Sequence, residues 1–441
     1  MPKPTFTFVD LFAGIGGFHA ALSALDGKCV YASEIDEDAA RVYERNWRLK
    51  PAGDITLAAN DDIMEVPDHD VLVGGFPCQP FSKSGKQHGM DEARGTLFWN
   101  IAKVIEARQP SLVLLENVRN IAGPRHVHEW EVIITTLRQL GYRVSCEPLV
   151  VSPHRIHPEF GGRPQIRERV LIAATHLGEL RSQSNCEPEQ LDLRGVGSNW
   201  DPQEWNLKQH LLLDKISQAE KVELALSETE LRWVEAWNDF VVTMKKELKK
   251  GSLPGFPIWA DEWVENGDLR IPQGTPTWKR NFLQKNSDFY TAHQSVLEAW
   301  LKRWDYLEDF PPSRRKLEWQ AQEAKDLWST VMHFRPSGIR AKKATYVPAM
   351  VAITQTSVYG PQRRRLSVSE CARLQGLPDW FKFEDQSRSA SYKQLGNGVN
   401  VGVVYNTIRA QVARDSDLID KKMVRKILSA PPNPDLYLTS R

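Results

Sequence analysis

One cysteine, Cys78, follows a proline in Gly74-Gly75-Phe76-Pro77-Cys78-Gln79-Pro80-Phe81-Ser82, just after the run Asp70-Val71-Leu72-Val73. That run reads as a buried strand, and loops leaving such strands are where open α/β sheets place ligands and chemistry. A thiol there is a nucleophile only as the thiolate, which needs an electropositive, partly open setting. Otherwise it is a small, inert, packed residue. A second group, Glu116, ends the apolar run Leu112-Val113-Leu114-Leu115. Burial at a strand end raises a carboxyl pKa and suits it to general-acid work, although a helix cap or ion pair would use the same residue. Arg167 and Arg169 lead into Val170-Leu171-Ile172-Ala173. Guanidinium groups so placed either reach an interior carbonyl or carboxylate or remain strand-end charges.

A fourth constellation, Phe8-Val9-Asp10-Leu11-Phe12-Ala13-Gly14-Ile15-Gly16-Gly17-Phe18, joins a strand to a helix through a glycine-rich turn. It fits either a nucleotide site or a tight turn. The next strand ends at Ala32-Ser33-Glu34, where an acid can accept two ribose hydroxyls. The turn lacks the full G-x-G-x-x-G of a pyrophosphate site, so S-adenosylmethionine fits it better than NAD. The Ser82-Lys83-Ser84-Gly85-Lys86 stretch after Cys78 is small, cationic and able to approach phosphate, or is a solvated loop.

These groups need a scaffold. Residues 5 to about 178 alternate short apolar runs with amphipathic stretches, the pattern of a parallel sheet with crossover helices. The expected strands are Phe6–Leu11, Cys29–Ser33, Val71–Gly74, Leu112–Glu116, Tyr142–Val150 and Arg169–Ala174. Phe18–Leu25 and Glu37–Asn46 read as helices. From about 179 the chain turns rich in charge and tryptophan, with helical stretches at Ser217–Lys250 and Ala292–Leu307. Eleven of the fifteen tryptophans fall between Trp200 and Trp328, which predicts a separate aromatic core. A helix start in capping-box form follows at Ser367-Val368-Ser369-Glu370, and the loop Leu395–Asn400 leads into a last apolar helix. One domain interrupted by another is expected.

With 441 residues there is room for two cores. A net charge of +1 does not announce a polyanion partner, so any nucleic-acid surface must come from local asymmetry. Five scattered cysteines, none in C-x-x-C spacing, argue against a disulfide framework and a zinc site. The start, Met1-Pro2-Lys3-Pro4-Thr5, carries no secretory signal and no stretch reaches membrane-span length, so a reducing, cytoplasmic setting is expected.

In order and spacing, six blocks resemble those of the DNA (cytosine-5) methyltransferases of bacterial restriction–modification systems. They are Asp10–Gly17, Pro77-Cys78-Gln79, Glu116-Asn117-Val118, Gln165-x-Arg167-x-Arg169, Glu370–Gly376 and Gln394–Val399. The resemblance implies an α/β, Rossmann-like S-adenosylmethionine-dependent catalytic domain at 1–178 and 386–441, interrupted by a target-recognition domain at 179–385. It implies that Cys78 attacks carbon 6 of a flipped-out cytosine, that Glu116 contacts the ring nitrogen and amine, that Arg169 holds the base carbonyl and that Arg167 supports the site. Cofactor contacts would come from Phe12, Gly14, Gly16, Glu34, Ile35, Asp54, Pro77 and Asn397, with Asp62 an alternative to Asp54. Cys371 reads as a packed helix residue.

DNA contacts would come from Gln79, Ser82, Lys86, Arg340 and Arg363–Arg365. Of the basic clusters, Lys245-Lys246, Lys249-Lys250 and Arg314-Arg315-Lys316 are more ordinary, whereas Lys342-Lys343 and Arg363-Arg364-Arg365 flank the return to the family pattern. The expected partner is duplex DNA, with a cognate endonuclease acting separately, and the expected state is a monomer. An RNA cytosine-5 methyltransferase and a silent DNA-binding regulator are the alternatives. The long insert counts against the first, and the presence of Cys78, Glu116 and Arg169 against the second.

Overall fold

The computed structural model describes residues 4–77, 96–196, 200–213, 215–248, 251–350, 356–383 and 386–438. It divides into two compact units: Met1–Leu212 with Pro348–Thr354 and Val368–Arg441, and Leu213–Val347 with Gln355–Ser367. Residues 179–212 and 368–383, expected in the inserted domain, fall within the first of these units.

The first unit is built on a sheet of seven strands: β1 (Phe6–Leu11), β2 (Gly27–Ser33), β3 (Val71–Gly75), β4 (Leu112–Val118), β5 (Tyr142–Arg143), β6 (Leu149–Val151) and β7 (Arg169–His176). Their order is β2-β1-β3-β4-β7-β5, with β6 also on β7. β1, β3 and β4 are nearly continuous apolar runs because both faces of the sheet are covered. Strands β1 to β4 are parallel, as expected, but β7 runs antiparallel to β4 over seven residue pairs. The expected strand Tyr142–Val150 is two short strands, since 144–148 includes exposed residues that leave the sheet.

The chain turns to opposite sides of β1 for β2 and β3. That reversal opens a crevice at the carboxyl ends of these strands, the position where such sheets bind ligands. The helices α1 (Gly17–Ser23) and α2 (Glu37–Trp47) follow β1 and β2. Asp36 caps α2 by accepting from the backbone N–H groups of Asp38 and Ala39.

The last long helix, Val401–Arg414, returns to this sheet. Asp415 at its end is fully buried and accepts from Arg143 at 3.0 Å, from Arg414 at 2.8 Å and from the Thr175 hydroxyl at 2.5 Å. The side chain of Gln411 adds a bond to the Ala174 carbonyl.

The second unit carries a six-stranded sheet: β8 (Ile258–Trp259), β9 (Lys316–Gln320), β10 (Thr330–Arg335), β11 (Gly338–Lys343), β12 (Val358–Tyr359) and β13 (Arg364–Arg365), in the order β13-β12-β10-β11-β9-β8. Its core includes Trp237, Trp263, Trp300, Trp319 and Trp328, as the tryptophan count predicts. Trp200 and Trp205 instead belong to the first unit, where both indoles donate to the His154 carbonyl. The expected helix Ser217–Lys250 breaks into Gln218–Leu224 and Glu228–Glu247, because Ser227 and Glu230 form a capping box that starts a new helix. Ala292–Leu307 ends early, at Arg303, before a left-handed turn in which Asp305, Tyr306 and Leu307 all have positive φ. The helix expected at Ser367 begins at Val368 and holds Cys371 fully buried.

Asp415→Ala would leave two largely buried arginines without their carboxylate, a loss of about 3–5 kcal/mol. The expected outcome is a clear fall in the denaturant midpoint of the first unit. An unchanged midpoint would remove Asp415 as the tie between helix and sheet.

Candidate active site

A cavity of about 500 Å³ lies at the carboxyl ends of β1, β2, β3 and β4. Phe12, Gly14, Glu34, Ile35, Asp54, Pro77, Glu116, Arg169 and Asn397 all line it. The strands bring one side of the cavity together, and the helix Arg388–Asn397 supplies the other.

The cofactor half is shaped by the turn after β1. Phe12, Gly14 and Gly16 all have positive φ, at 57°, 55° and 92°. The left-handed backbone at Phe12 is uncommon for a bulky residue and marks strain at a functional turn. Glu34 closes the turn by accepting from the Gly14 N–H at 2.7 Å and the Asp36 N–H at 2.8 Å. Burial raises its pKa above the usual carboxylate range. Ile35 is 71% exposed although strongly apolar, which suits a wall awaiting a flat ring. Asp54 accepts from the Thr56 N–H at 2.9 Å. Asp62, the alternative, is not among the lining residues.

Gly16 is the exception among the expected cofactor residues. It does not line the cavity, and a Cβ there would lie 2.1 Å from the Trp47 indole nitrogen. That indole donates to the Ile15 carbonyl at 3.0 Å and stacks on His19. The glycine is therefore required by packing from behind the turn, where Trp47 holds its backbone. Trp47 was not expected from the sequence, since a tryptophan at a helix end carries no local signal of what it touches.

The second half of the cavity holds the acid and Arg169. The β4–β7 register sets Glu116 opposite Leu171 and Val118 opposite Arg169, which makes Glu116 and Arg169 diagonal neighbours on one face. Their side chains meet with Arg169 Nε 2.8 Å from Glu116 Oε1. Burial raises the Glu116 pKa, and the nearby Arg169 and Arg167 only partly oppose it. Asn117, also unforeseen as an individual residue, donates to the Phe76 carbonyl at 2.9 Å and fixes the backbone leading to Pro77. Arg167 does not line the cavity. It is 1% exposed and donates to the carbonyls of Gly396, Gly398 and Met350 at 2.9, 2.6 and 2.9 Å.

Cys78, Gln79, Ser82 and Lys86 lie outside the described residues. The other expected DNA contacts are in the second unit, each with a partner there. Arg340 pairs with Glu318, Arg363 with Glu235 and the Trp328 ring, and Arg365 with Glu230. Arg364 is buried and donates to the Gln362 side chain and the Arg365 carbonyl, which leaves it little surface to offer a phosphate. Among the described residues, no helix is long and apolar enough to cross a membrane.

The model of the C-5 cytosine-specific DNA methylase family matches residues 6–413. Type II methyltransferase M.AluI of Cellulosimicrobium cellulans is 45% identical over a 505-residue alignment covering 97% of each chain. Type II methyltransferase M.HhaI of Haemophilus parahaemolyticus is 44% identical, over 90% of this chain and 91% of its own. Among solved structures, the S. pombe Dnmt2 methyltransferase covers 92% of this chain and 98% of its own at 15% identity and a TM-score of 0.47, too distant to add to the assignment. The chain belongs to the C-5 cytosine-specific DNA methylases, and its α/β first unit is the Rossmann-like methyltransferase fold.

Gly16→Ala would force a methyl group into the Trp47 indole at a left-handed backbone position. A loss of about 1–3 kcal/mol is expected, read as a lowered melting temperature. A wild-type melting temperature would mean that the indole does not press on this turn.

Proposed function

We propose that this DNA cytosine-5 methyltransferase transfers a methyl group from S-adenosylmethionine to carbon 5 of a flipped-out cytosine within a specific duplex sequence, through a covalent Cys78 adduct. The observation that carries this reading is one cavity lined by the Phe12–Gly14 turn, Glu34 and the Glu116–Arg169 pair, and reaching Pro77, the residue before Cys78.

The residues fit the cofactor. Its volume suits a nucleoside-sized ligand, with Phe12 and Ile35 as apolar walls for adenine and Glu34 as acceptor for the ribose hydroxyls. Asp54, Pro77, Asn397 and the backbone at Gly14 complete the set, and Gly16 acts indirectly by admitting Trp47. When bound, S-adenosylmethionine supplies an electrophilic methyl group.

The protein's own groups prepare the base. A cytosine within the stack is unreachable, so the target must leave the duplex. The Cys78 thiolate adds to carbon 6, and electron density moves into the ring. Glu116, whose proton affinity is raised by burial, hydrogen-bonds the ring nitrogen and amine as that charge develops. Arg169, oriented by Glu116, holds the base carbonyl, while Arg167 keeps the neighbouring loop in place. Carbon 5, made nucleophilic by this addition, takes the methyl group, and loss of its proton then expels the Cys78 thiolate and restores the ring double bond.

The second unit, Leu213–Val347 with Gln355–Ser367, lies within the expected 179–385 span and would recognise the target. Gln79, Ser82, Lys86, Arg340, Arg363 and Arg365 would add DNA contacts, with Arg364 bracing the strand between them. The similarity to Type II methyltransferases is what suggests a host-protecting role; a separate endonuclease, a cytoplasmic setting and a monomeric state are part of the same proposal.

The primary test is methyl transfer from labelled S-adenosylmethionine to duplex DNA and to RNA, with the modified base mapped. Cytosine methylated at carbon 5 in one short DNA motif is expected; transfer to RNA alone, or none despite bound cofactor, overturns the reading. Cys78→Ser is expected to abolish turnover while leaving cofactor affinity within about twofold of wild type, and retained turnover would remove Cys78 as nucleophile.

Because the active form of Glu116 is the protonated one and its pKa is raised, kcat should fall as pH climbs through that raised value. Glu116→Gln should lower kcat by about 10²–10⁴ and abolish that limb. A limb that survives the substitution belongs to another group.

A further inference from the structure

The central strands of the second unit's sheet have two chemically opposite faces. Leu317, Trp319, Met332, Phe334, Ile339 and Ala341 enter its aromatic core. Alternation along each strand puts the intervening residues on the other face. The pairing His333↔Arg340↔Glu318, with Lys342↔Gln320 beside it, aligns those residues in rows. Within β9, β10 and β11 this second face carries Lys316, Arg335, Arg340 and Lys342 against a single carboxylate, Glu318.

Glu318 Oε2 lies 2.8 Å from Arg340 Nε and 3.5 Å from Arg335 Nη1, so one acid fans two guanidinium groups. Their side chains are only 28% and 37% exposed. Like charges repel more strongly where water is partly excluded, and the neighbours register the excess. The Lys342 pKa is lowered by burial and then by Arg340. His333 is pushed down to about 4 by burial, Arg335 and Arg340, so it is neutral at physiological pH and hydrogen-bonded to the Ser357 hydroxyl. By contrast, Arg363 and Arg365 each have their own acid.

We propose that this sheet face is a docking surface for duplex DNA, with Lys316, Arg335, Arg340 and Lys342 taking its phosphates and Glu318 positioning the two arginines. The inference rests on the DNA methyltransferase reading and names where, on the second unit, the duplex is held. Charge complementarity selects the occupant: a row of cations with too few acids, half removed from water, matches a continuous array of phosphates.

The test is anisotropy of a fluorescein-labelled mixed-sequence duplex over a range of salt, using the full chain. Replacing both Arg335 and Lys342 by alanine should reduce the slope of log K against log salt by about 2, close to 0.9 per lost phosphate contact. Cofactor affinity, measured by calorimetry, should stay unchanged. Glu318→Gln, which removes the carboxylate from this row, should strengthen binding to a mixed-sequence duplex, a gain that mere unfolding would not produce. No gain would remove Glu318 as the acid that offsets the row.

An unchanged slope in a double variant whose parent methylates DNA overturns the surface and leaves the enzyme reading standing. A parent that neither binds nor methylates duplex DNA overturns both. Should the double variant lose its cooperative melt, Lys342→Gln alone decides, with a slope change of about 1 expected and none overturning the proposal.

Discussion

The first unit depends on one buried guanidinium. Arg167 is almost wholly removed from water, and its hydrogen bonds go to backbone carbonyls at Gly396, Gly398 and Met350. Burying a charge is costly unless its hydrogen bonds are made. The loop after the helix Arg388–Asn397 is therefore drawn onto the strand side of the cavity, some 230 residues away in sequence. Burial and the adjacent Arg169 bring the Arg167 pKa down to about 9, which still leaves it charged at neutral pH. A lysine could not span three carbonyls in this way, because its donors radiate from a single nitrogen.

From that anchor the electrostatics of the cavity follow. Arg167 and Arg169 sit near one carboxyl, and each favours its ionised form, yet burial outweighs both and the Glu116 pKa remains raised. The result is an acid that can hold a proton beside a fixed cation, a combination that an exposed pair in water would not sustain. Arg169 cannot swing freely, because Glu116 occupies its Nε. Orientation and proton affinity thus arise from the same contact. Asn117, next along β4, extends the control to the Phe76 backbone, so the segment entering the cysteine loop is set by the strand that carries the acid.

Much of this was legible in the sequence, and the reasons are physical. β1, β3 and β4 announce themselves because a strand buried on both faces must be apolar throughout. Glu34, Glu116 and Arg169 stand out because charge at the end of such a run needs a purpose. What stayed hidden depends on partners distant in the chain. Gly16 reads as a ligand-facing glycine, and only the fold shows that it makes room for Trp47. Arg167 and Arg169 look alike in the sequence, two residues apart, yet one faces the cavity and the other lies beneath the loop. The reversal of β7 was missed for a similar reason: an apolar run specifies burial but not direction. The break at Ser227 was legible in principle, since the Ser227–Glu230 box is written in adjacent residues, but the long amphipathic pattern masked it.

The second unit illustrates a different limit. Its tryptophan excess correctly signals a core, because large rings dominate burial. The basic residues are harder to interpret, since a run of like charges in sequence need not be a patch in space. Arg363, Arg364 and Arg365 form the densest run, yet their side chains are engaged separately, on Glu235, Gln362 and Glu230. Arg340 and Lys342 stand out in the sequence only as separate basic residues and Arg335 not at all, yet period-two alternation collects all three on one face. Charge that is dense in sequence is here engaged by separate partners within the fold, whereas charge that is dilute in sequence is concentrated by it. In a β-rich unit the place to look for a polyanion surface is therefore the residue set selected by strand register, not the longest basic run.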